Sequence, residues 1–299
     1  MKILISGSRG FIGTPLTERM AGQGHQIVRL VRKPESGAIF WDPYRRTIDQ
    51  SLLENFDAVI HLAGRTIAGG RWTKSAKKEI FDSRILPTRF LAETLANLKH
   101  PPKTLVCASA VGFFGDRGDQ VLTEDSAPGE GFLPELCLAW EKACDPARER
   151  GIRTINLRTS LVLASRGGAL GPMFLPFKIG VGGRFGSGAQ YMSWVSLSDV
   201  ISIIEFALTH DSVSGPVNVA APEPISNREF TTTLGRVLRR PTLFTMPAFA
   251  VRLLLGEMGD ALLLSSARAI PEKLLKAGYK FLDTDIEETL RRLLDRPRK

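Results

Sequence analysis

The chain has 299 residues, 43% hydrophobic and 24% charged, with 28 Gly, 18 Pro and 3 Cys. That balance is close to the average of globular domains and excludes a disordered, collagen-like or disulfide-stapled chain. The formal charge of +9, from 40 Lys+Arg against 31 Asp+Glu, is the one departure. An excess of this size points to nucleic acid, acidic lipid or a phosphate-bearing small molecule.

The elements alternate from the start. Lys2–Ser6 reads as a buried strand, followed by a glycine-rich turn and a helix over 15–23. Strands are expected at 26–32, 38–41 and 57–62, then a long helix over 74–97 kinked at Pro87. A strand at 104–108, a helix over 135–150 and a strand at 153–158 complete the series. Strands alternating with helices imply right-handed crossovers and a parallel sheet covered on both faces. Beyond Thr159 the texture changes. Residues 165–190 carry eight glycines and two prolines and read as long loops. Residues 193–208 regain a strand-then-helix pattern, and 215–220 another strand. Helical spacing returns at 227–238, 247–255 and 286–294. The expected class is α/β, a doubly wound parallel sheet of Rossmann type with a smaller, mostly helical C-terminal substrate domain. The expected division is 1–164 plus 191–221 for the nucleotide domain, and 165–190 plus 222–299 for the other. The terminal Arg296–Lys299 reads as a solvated tail.

Absences narrow the function. No run of about 18 apolar residues could span a bilayer, and the N-terminus lacks the 7–15 apolar residues of a signal peptide. A cytoplasmic protein with no membrane partner is expected. Cys107, Cys137 and Cys144 form no C-x-x-C, and the four histidines lack ligand spacing, so no metal site is expected. The apolar run 249–264 has few interleaved cations and reads as core or subunit interface rather than a membrane-surface helix. Dispersed basic residues and the lack of a known motif argue against nucleic acid.

Gly7-Ser8-Arg9-Gly10-Phe11-Ile12-Gly13 places three glycines between the first strand and the first helix. Glycines let the backbone turn tightly and approach a pyrophosphate, and the helix N-terminus adds free N–H groups. NAD-selective sites carry an acid at the end of the second strand. Arg32 and Lys33 stand there instead, with Arg9 inside the loop and no acid before Glu35. Guanidinium groups bind a 2′-phosphate by charge-assisted hydrogen bonds, so NADP(H) is the expected cofactor. The competing view is that these are ordinary surface cations.

The glycine spacing, followed by DAVIHLAG (57–64) and CASAVGFFG (107–115), resembles the extended short-chain dehydrogenase/reductases. IAGGRWT (67–73), LRTSLVLASRGGAL (157–170), GSGAQYMSWVSLSD (186–199) and NVAAPEPISNREF (218–230) resemble an atypical subgroup almost end to end. Its members are usually called epimerase-family proteins, and sometimes cell-division inhibitors. The resemblance implies that Leu62, Ala63 and Gly64 pass close to the cofactor's ribose and pyrophosphate. It places Asp42 at the adenine amine, although a turn residue before Pro43 is an equal reading. It places Ser109 where a serine polarises the substrate carbonyl, and Arg158 and Thr159 at the nicotinamide end. A homodimer through helices beside the sheet is also implied.

The family's Tyr-x-x-x-Lys pair is absent. Only Tyr44, Tyr191 and Tyr279 exist, followed four residues on by Ile48, Val195 and Asp283. On the corresponding helix Cys137 and Glu141 stand four apart on one face, which makes them candidates for acid–base work. A carboxylate raises a thiol pKa, however, which favours Cys137 as a small apolar residue and leaves Glu141 open. Phe113 and Phe114 replace two tyrosines common in the subgroup. Arg158, Arg166 and Arg184 are candidates to hold an acidic substrate, and Arg71-Trp72 to stack on one or cap a helix. The expectation is an NADP(H)-binding oxidoreductase or epimerase-type protein acting on a small polar molecule. A catalytically silent dinucleotide-binding regulator or redox sensor is the alternative.

Overall fold

A computed structural model describes residues 1–295, so the tail expected to be solvated, Arg296–Lys299, lies outside the described residues. Eight strands form the central sheet: β1 (Lys2–Ser6), β2 (Gln26–Val31), β3 (Ala38–Asp42), β4 (Thr47–Ile48), β5 (Ala58–His61), β6 (Thr104–Ala110), β7 (Arg153–Thr159) and β8 (Gly215–Val219). Their order is β8-β7-β6-β5-β1-β2-β3-β4. All pairs are parallel except β3 with the short edge strand β4, which the sequence pattern does not reveal. The chain order reverses at β1, flanked by β2 and β5. In such sheets ligands bind beyond the strand C-termini at that switch point.

Alternation within each strand fills both faces. Ile3 and Ile5 point to one side, into a core shared with Leu16 and Met20 of α1 (Gly13–Gly22). Leu4 points to the other, toward Phe90, Leu91 and Leu95 of α2 (Lys74–Ala96). α2 runs through Pro87 as one helix. The expected helix over 135–150 is two: α3 (Phe132–Lys142) and a short helix Asp145–Glu149. Pro146 favours the break, because it suits the first turn of a new helix and offers no N–H to continue an old one.

The sheet's first face is completed by α4 (Leu197–Thr209). Asp199 in its first turn is fully buried. It accepts the Tyr279 hydroxyl at 2.9 Å and the Leu282 and Asp283 amides at 2.9 and 3.0 Å, which ties the C-terminal segment to α4.

Residues 165–190 are not simply loop. They contain a helix, Leu170–Lys178, and a strand, Gly183–Phe185. Leu170 and Phe177 bury against Leu234, Val237 and Leu238 of the helix Asn227–Leu238. That burial outweighs poor local propensity, which is why glycine and proline density misleads here. Trp194, Phe230, Ile286 and Leu290 share this third core. Among the described residues no helix is long and apolar enough to cross a membrane.

Candidate dinucleotide site and substrate cleft

β1 ends at Ser6 and the chain turns at Gly7 with φ +73°. A Cβ on Gly7 would stand 2.8 Å from the Leu62 carbonyl carbon and 2.9 Å from the Ala63 nitrogen. A Cβ on Gly13 would stand 2.1 Å from the Gly7 oxygen. The Gly10 amide donates to the Gly7 carbonyl at 2.9 Å and closes the loop. The three glycines therefore press the loop onto Leu62–Ala63, just past β5, at the switch point. α1 begins with no side-chain cap and no acid in its first turn, leaving its positive dipole end facing the loop. This cradle of bare backbone fits a pyrophosphate.

The other loop residues have local partners. The buried Ser8 carbonyl accepts the Thr14 hydroxyl at 3.4 Å, and Ile12 precedes α1 and packs on the sheet core. Phe11 is exposed, but its ring lies against the backbone of Gly167 and Gly168, where a Cβ would approach to 3.1 and 2.8 Å. The loop after β7 thus leans on the glycine loop.

Arg32 and Lys33 are exposed beyond β2. Arg9 forms an ion pair with Glu35, which also holds Arg29 at 2.5 Å. The turn after β2 folds Glu35, the first acid beyond Lys33, back onto Arg9. Asp42 Oδ1 accepts the amides of Tyr44 and Arg45 at 3.0 and 3.1 Å, the turn role weighed for it. Gly64 faces the Arg84 side chain, whose guanidinium donates to the Arg65 carbonyl at 2.7 Å.

Beyond β6 and β7 opens a cleft of about 490 Å³. Ala110, Thr159 and Ser160 line its wall at the strand ends, and Tyr191, Met192 and Leu262 also line it. Directly behind the wall at the strand ends lies a buried polar triad. Ser109 Oγ donates to Glu141 Oε1 at 2.7 Å. The Arg158 guanidinium grips Glu141 with Nε to Oε1 at 2.9 Å and Nη2 to Oε2 at 3.0 Å, and donates from Nη1 to the Glu124 carbonyl at 3.0 Å. It also lies 3.5 Å from the Phe113 ring centroid, with Phe114 at 5.3 Å. The two phenylalanines thus present ring faces to a buried cation. Thr159 lines the cleft, whereas the Arg158 side chain is engaged by Glu141, the Glu124 carbonyl and Phe113.

Cys137 does not join this triad by any hydrogen bond. It is buried with Phe113, Phe114, Leu122 and Ala269, and desolvation, aided by the Glu141 charge, pushes its thiol up to about 12. The apolar alternative describes it. Of the three arginines considered for an acidic substrate, none lines the cleft. Arg252 does, ion-paired with Asp260 at 2.8 Å. Trp72 also lines it, donating Nε1 to the Ile67 carbonyl at 2.8 Å, while Arg71 reaches the Leu253 carbonyl and Thr73 caps α2.

Two residues escaped the sequence reading. Tyr191 was set aside because Val195 follows it at the fourth position, yet it faces the cleft with the Arg268 guanidinium 4.7 Å from its ring centroid. His61 is fully buried at the end of β5. Its Nδ1 lies 2.5 Å from Ser6 Oγ and its Nε2 3.1 Å from Thr88 Oγ1, which also accepts from Trp140 Nε1 at 3.0 Å. The DAVIHLAG segment carried that signal, since a histidine closing a buried strand needs partners. Burial pushes His61 down to about 4 from 6.5. The unfolded chain therefore takes up this proton first as pH falls, and stability present above about 6.5 is lost progressively toward pH 4. That loss is about 3 kcal/mol. Urea titrations between pH 7 and pH 4 should show a steeper decline for the wild type than for His61→Asn.

The sequence model of the NAD dependent epimerase/dehydratase family matches residues 3–220, and that of a domain of unknown function (DUF1731) matches residues 246–293. Epimerase family protein Mb2239 of Mycobacterium bovis is 41% identical over 297 residues, covering 99% of this chain and 98% of its own. Human epimerase family protein SDR39U1 is 34% identical over 98% of this chain and all of its own. The crystal structure of human SDR39U1 (isoform 2) with NADPH superposes with a TM-score of 0.90 at 32% identity, covering 99% of each chain. The Gly7–Gly13 cradle, the Rossmann strand order and these end-to-end similarities agree: the chain belongs to the NAD-dependent epimerase/dehydratase family, among the SDR39U1-like epimerase family proteins.

Proposed function

We propose that the protein is an NADP(H)-dependent oxidoreductase or epimerase-type enzyme that acts on a small molecule without a Tyr-x-x-x-Lys pair. The observation that carries this reading is the glycine cradle, closed to any Cβ, beside exposed cations at the end of β2. The NADPH bound by human SDR39U1 supports the choice of cofactor. Gly7 to Gly13 and the α1 N-terminus hold the pyrophosphate, and Arg9, Arg32 and Lys33 hold the 2′-phosphate once Arg9 exchanges Glu35 for it. Asp42 borders the adenine side, Leu62, Ala63 and Gly64 the ribose side, and Thr159 the nicotinamide end.

When bound, the cofactor supplies or accepts hydride at nicotinamide C4. The chain contributes the proton path. Ser109 donates its proton to Glu141, so its lone pairs are left to act as acceptors. A proton received at Ser109 Oγ can pass to Glu141 Oε1, 2.7 Å away, while Arg158 fixes the carboxylate's orientation. Ser109 is the catalytic residue of this scheme, Glu141 its proton partner, and Cys137 only packing.

The second reading, a silent dinucleotide-binding regulator, is favoured by one observation: Ser109 is already hydrogen-bonded within a saturated triad behind the cleft wall. Both readings need the cofactor. Arg32→Asp should weaken NADPH by about tenfold or more, the scale of one charge-assisted phosphate contact, and leave NADH within about twofold. Equal losses for the two cofactors would remove Arg32 from the site. A Ser109→Ala variant that retains NADPH affinity and full turnover would remove Ser109 from the mechanism.

A further inference from the structure

Among the described residues, the third core leaves one face with nothing packed on it. Ile179 and Val181 follow the helix Leu170–Lys178; Leu243, Phe244 and Met246 lie in and beside the strand Phe244–Met246; Phe249, Leu253 and Leu254 project from the helix Ala248–Leu255. All are exposed, and Leu243, Leu253 and Phe249 reach 87%, 72% and 70%. Sequence-distant segments are knitted into this single face. Gly183–Phe185 pairs in parallel with Phe244–Met246, the Gly186 amide donates to the Met246 carbonyl at 2.9 Å, and Arg240 Nε donates to the Lys178 carbonyl at 2.8 Å.

The segments that carry this face hold cations and no acid, the nearest along the chain being Glu257 and Asp260 beyond the helix Ala248–Leu255. Neither residues 150–198 nor residues 230–256 contain an Asp or Glu. Lys178, Arg184, Arg239 and Arg240 border the apolar tips, and none of them has an ion-pair partner among the described residues. Reading 249–264 alone finds too few cations for membrane contact. The fold supplies them from 178–184 and 239–240. The buried members of the run, Val251 and Met258, belong to the protein interior, so only its outward face is in question.

We propose that this face docks on an anionic lipid surface, with the apolar tips entering the headgroup–acyl boundary and the four cations meeting lipid phosphates. Two copies meeting through the same face would bring like charges together, which disfavours self-association. Side chains this exposed stand out from the surface and offer no groove for a peptide helix.

Vesicle flotation tests the proposal with the full chain, using phosphatidylcholine alone and with about a third phosphatidylglycerol. The wild type is expected to float with the anionic vesicles and remain behind with the neutral ones. Leu243→Glu/Phe249→Glu should lose flotation. Lys178→Gln/Arg239→Gln/Arg240→Gln should bind about a hundredfold more weakly, at about fivefold per cation. Circular dichroism of both variants and the thermal midpoint of the Glu variant are expected to match the wild type, since the altered side chains are exposed; the triple variant also loses the Arg240 bond to the Lys178 carbonyl and should melt slightly lower. Absence of flotation by the wild type overturns the proposal, as does undiminished flotation by the Glu variant. A wild type that sediments as a dimer and ignores vesicles, with a monomeric Glu variant, also overturns it and makes the face a self-association surface.

Discussion

Gly13→Ala should cripple dinucleotide binding while leaving a folded protein. The new Cβ would meet the Gly7 carbonyl oxygen at 2.1 Å, and both atoms are backbone, so neither can swing aside. The loop must open, at a cost of about 1–3 kcal/mol, the range for overpacking. An opened loop withdraws the Gly7–Gly13 amides from a pyrophosphate, and NADPH affinity should fall by at least about tenfold. Gly22→Ala is the matched control. It lies in the same helix with nothing within 4 Å of its Cβ, and should stabilise the fold by up to about 1 kcal/mol. Fluorescence titration with NADPH and thermal melts of both variants check the contrast. Two variants of equal behaviour would mean that the loop tolerates a Cβ and that the tight approach to Leu62–Ala63 is not what shapes the site.

Arg158→Met is expected to be the most destabilising single change near the cleft. It leaves Glu141 buried without its cation and removes the guanidinium from Phe113, and breaking a buried pair costs about 3–5 kcal/mol. The double variant Arg158→Met/Glu141→Leu removes both charges and should recover much of that loss, because a well-packed apolar pair often matches a buried ion pair. Chemical denaturation of the four members of the cycle measures the coupling. A recovered double variant that has lost turnover would assign the triad to proton handling. A double variant no better than the single would mean that the guanidinium contributes mainly by packing on the phenylalanines.

The central sheet was legible because its signals are local and repeated. Lys2–Ser6, 26–32 and 153–158 are apolar runs between turn residues, and each became a strand within a residue or two. Residues 165–190 were not legible, because the helix Leu170–Lys178 exists through burial against a segment more than fifty residues away. The glycine cradle was readable from spacing alone. The triad was readable only in part: Ser109, Glu141 and Arg158 were each named, but their contact was not, since sequence does not say which side of a strand end a side chain takes. The places of Glu35 and Tyr191 were not legible for the same kind of reason. One folds back through a turn onto Arg9, and the other reaches the cleft from a strand outside the central sheet.

The central claim is that the site selects a dinucleotide by its 2′-phosphate. Calorimetric titration of the full chain with NADPH and with NADH, at one fixed salt concentration, tests it most directly. NADPH is expected to bind at least about tenfold more tightly, as one charge-assisted phosphate contact provides, with the margin shrinking as salt rises. Equal affinities, or a preference for NADH, would contradict the account and return Arg9, Arg32 and Lys33 to the ordinary basic surface.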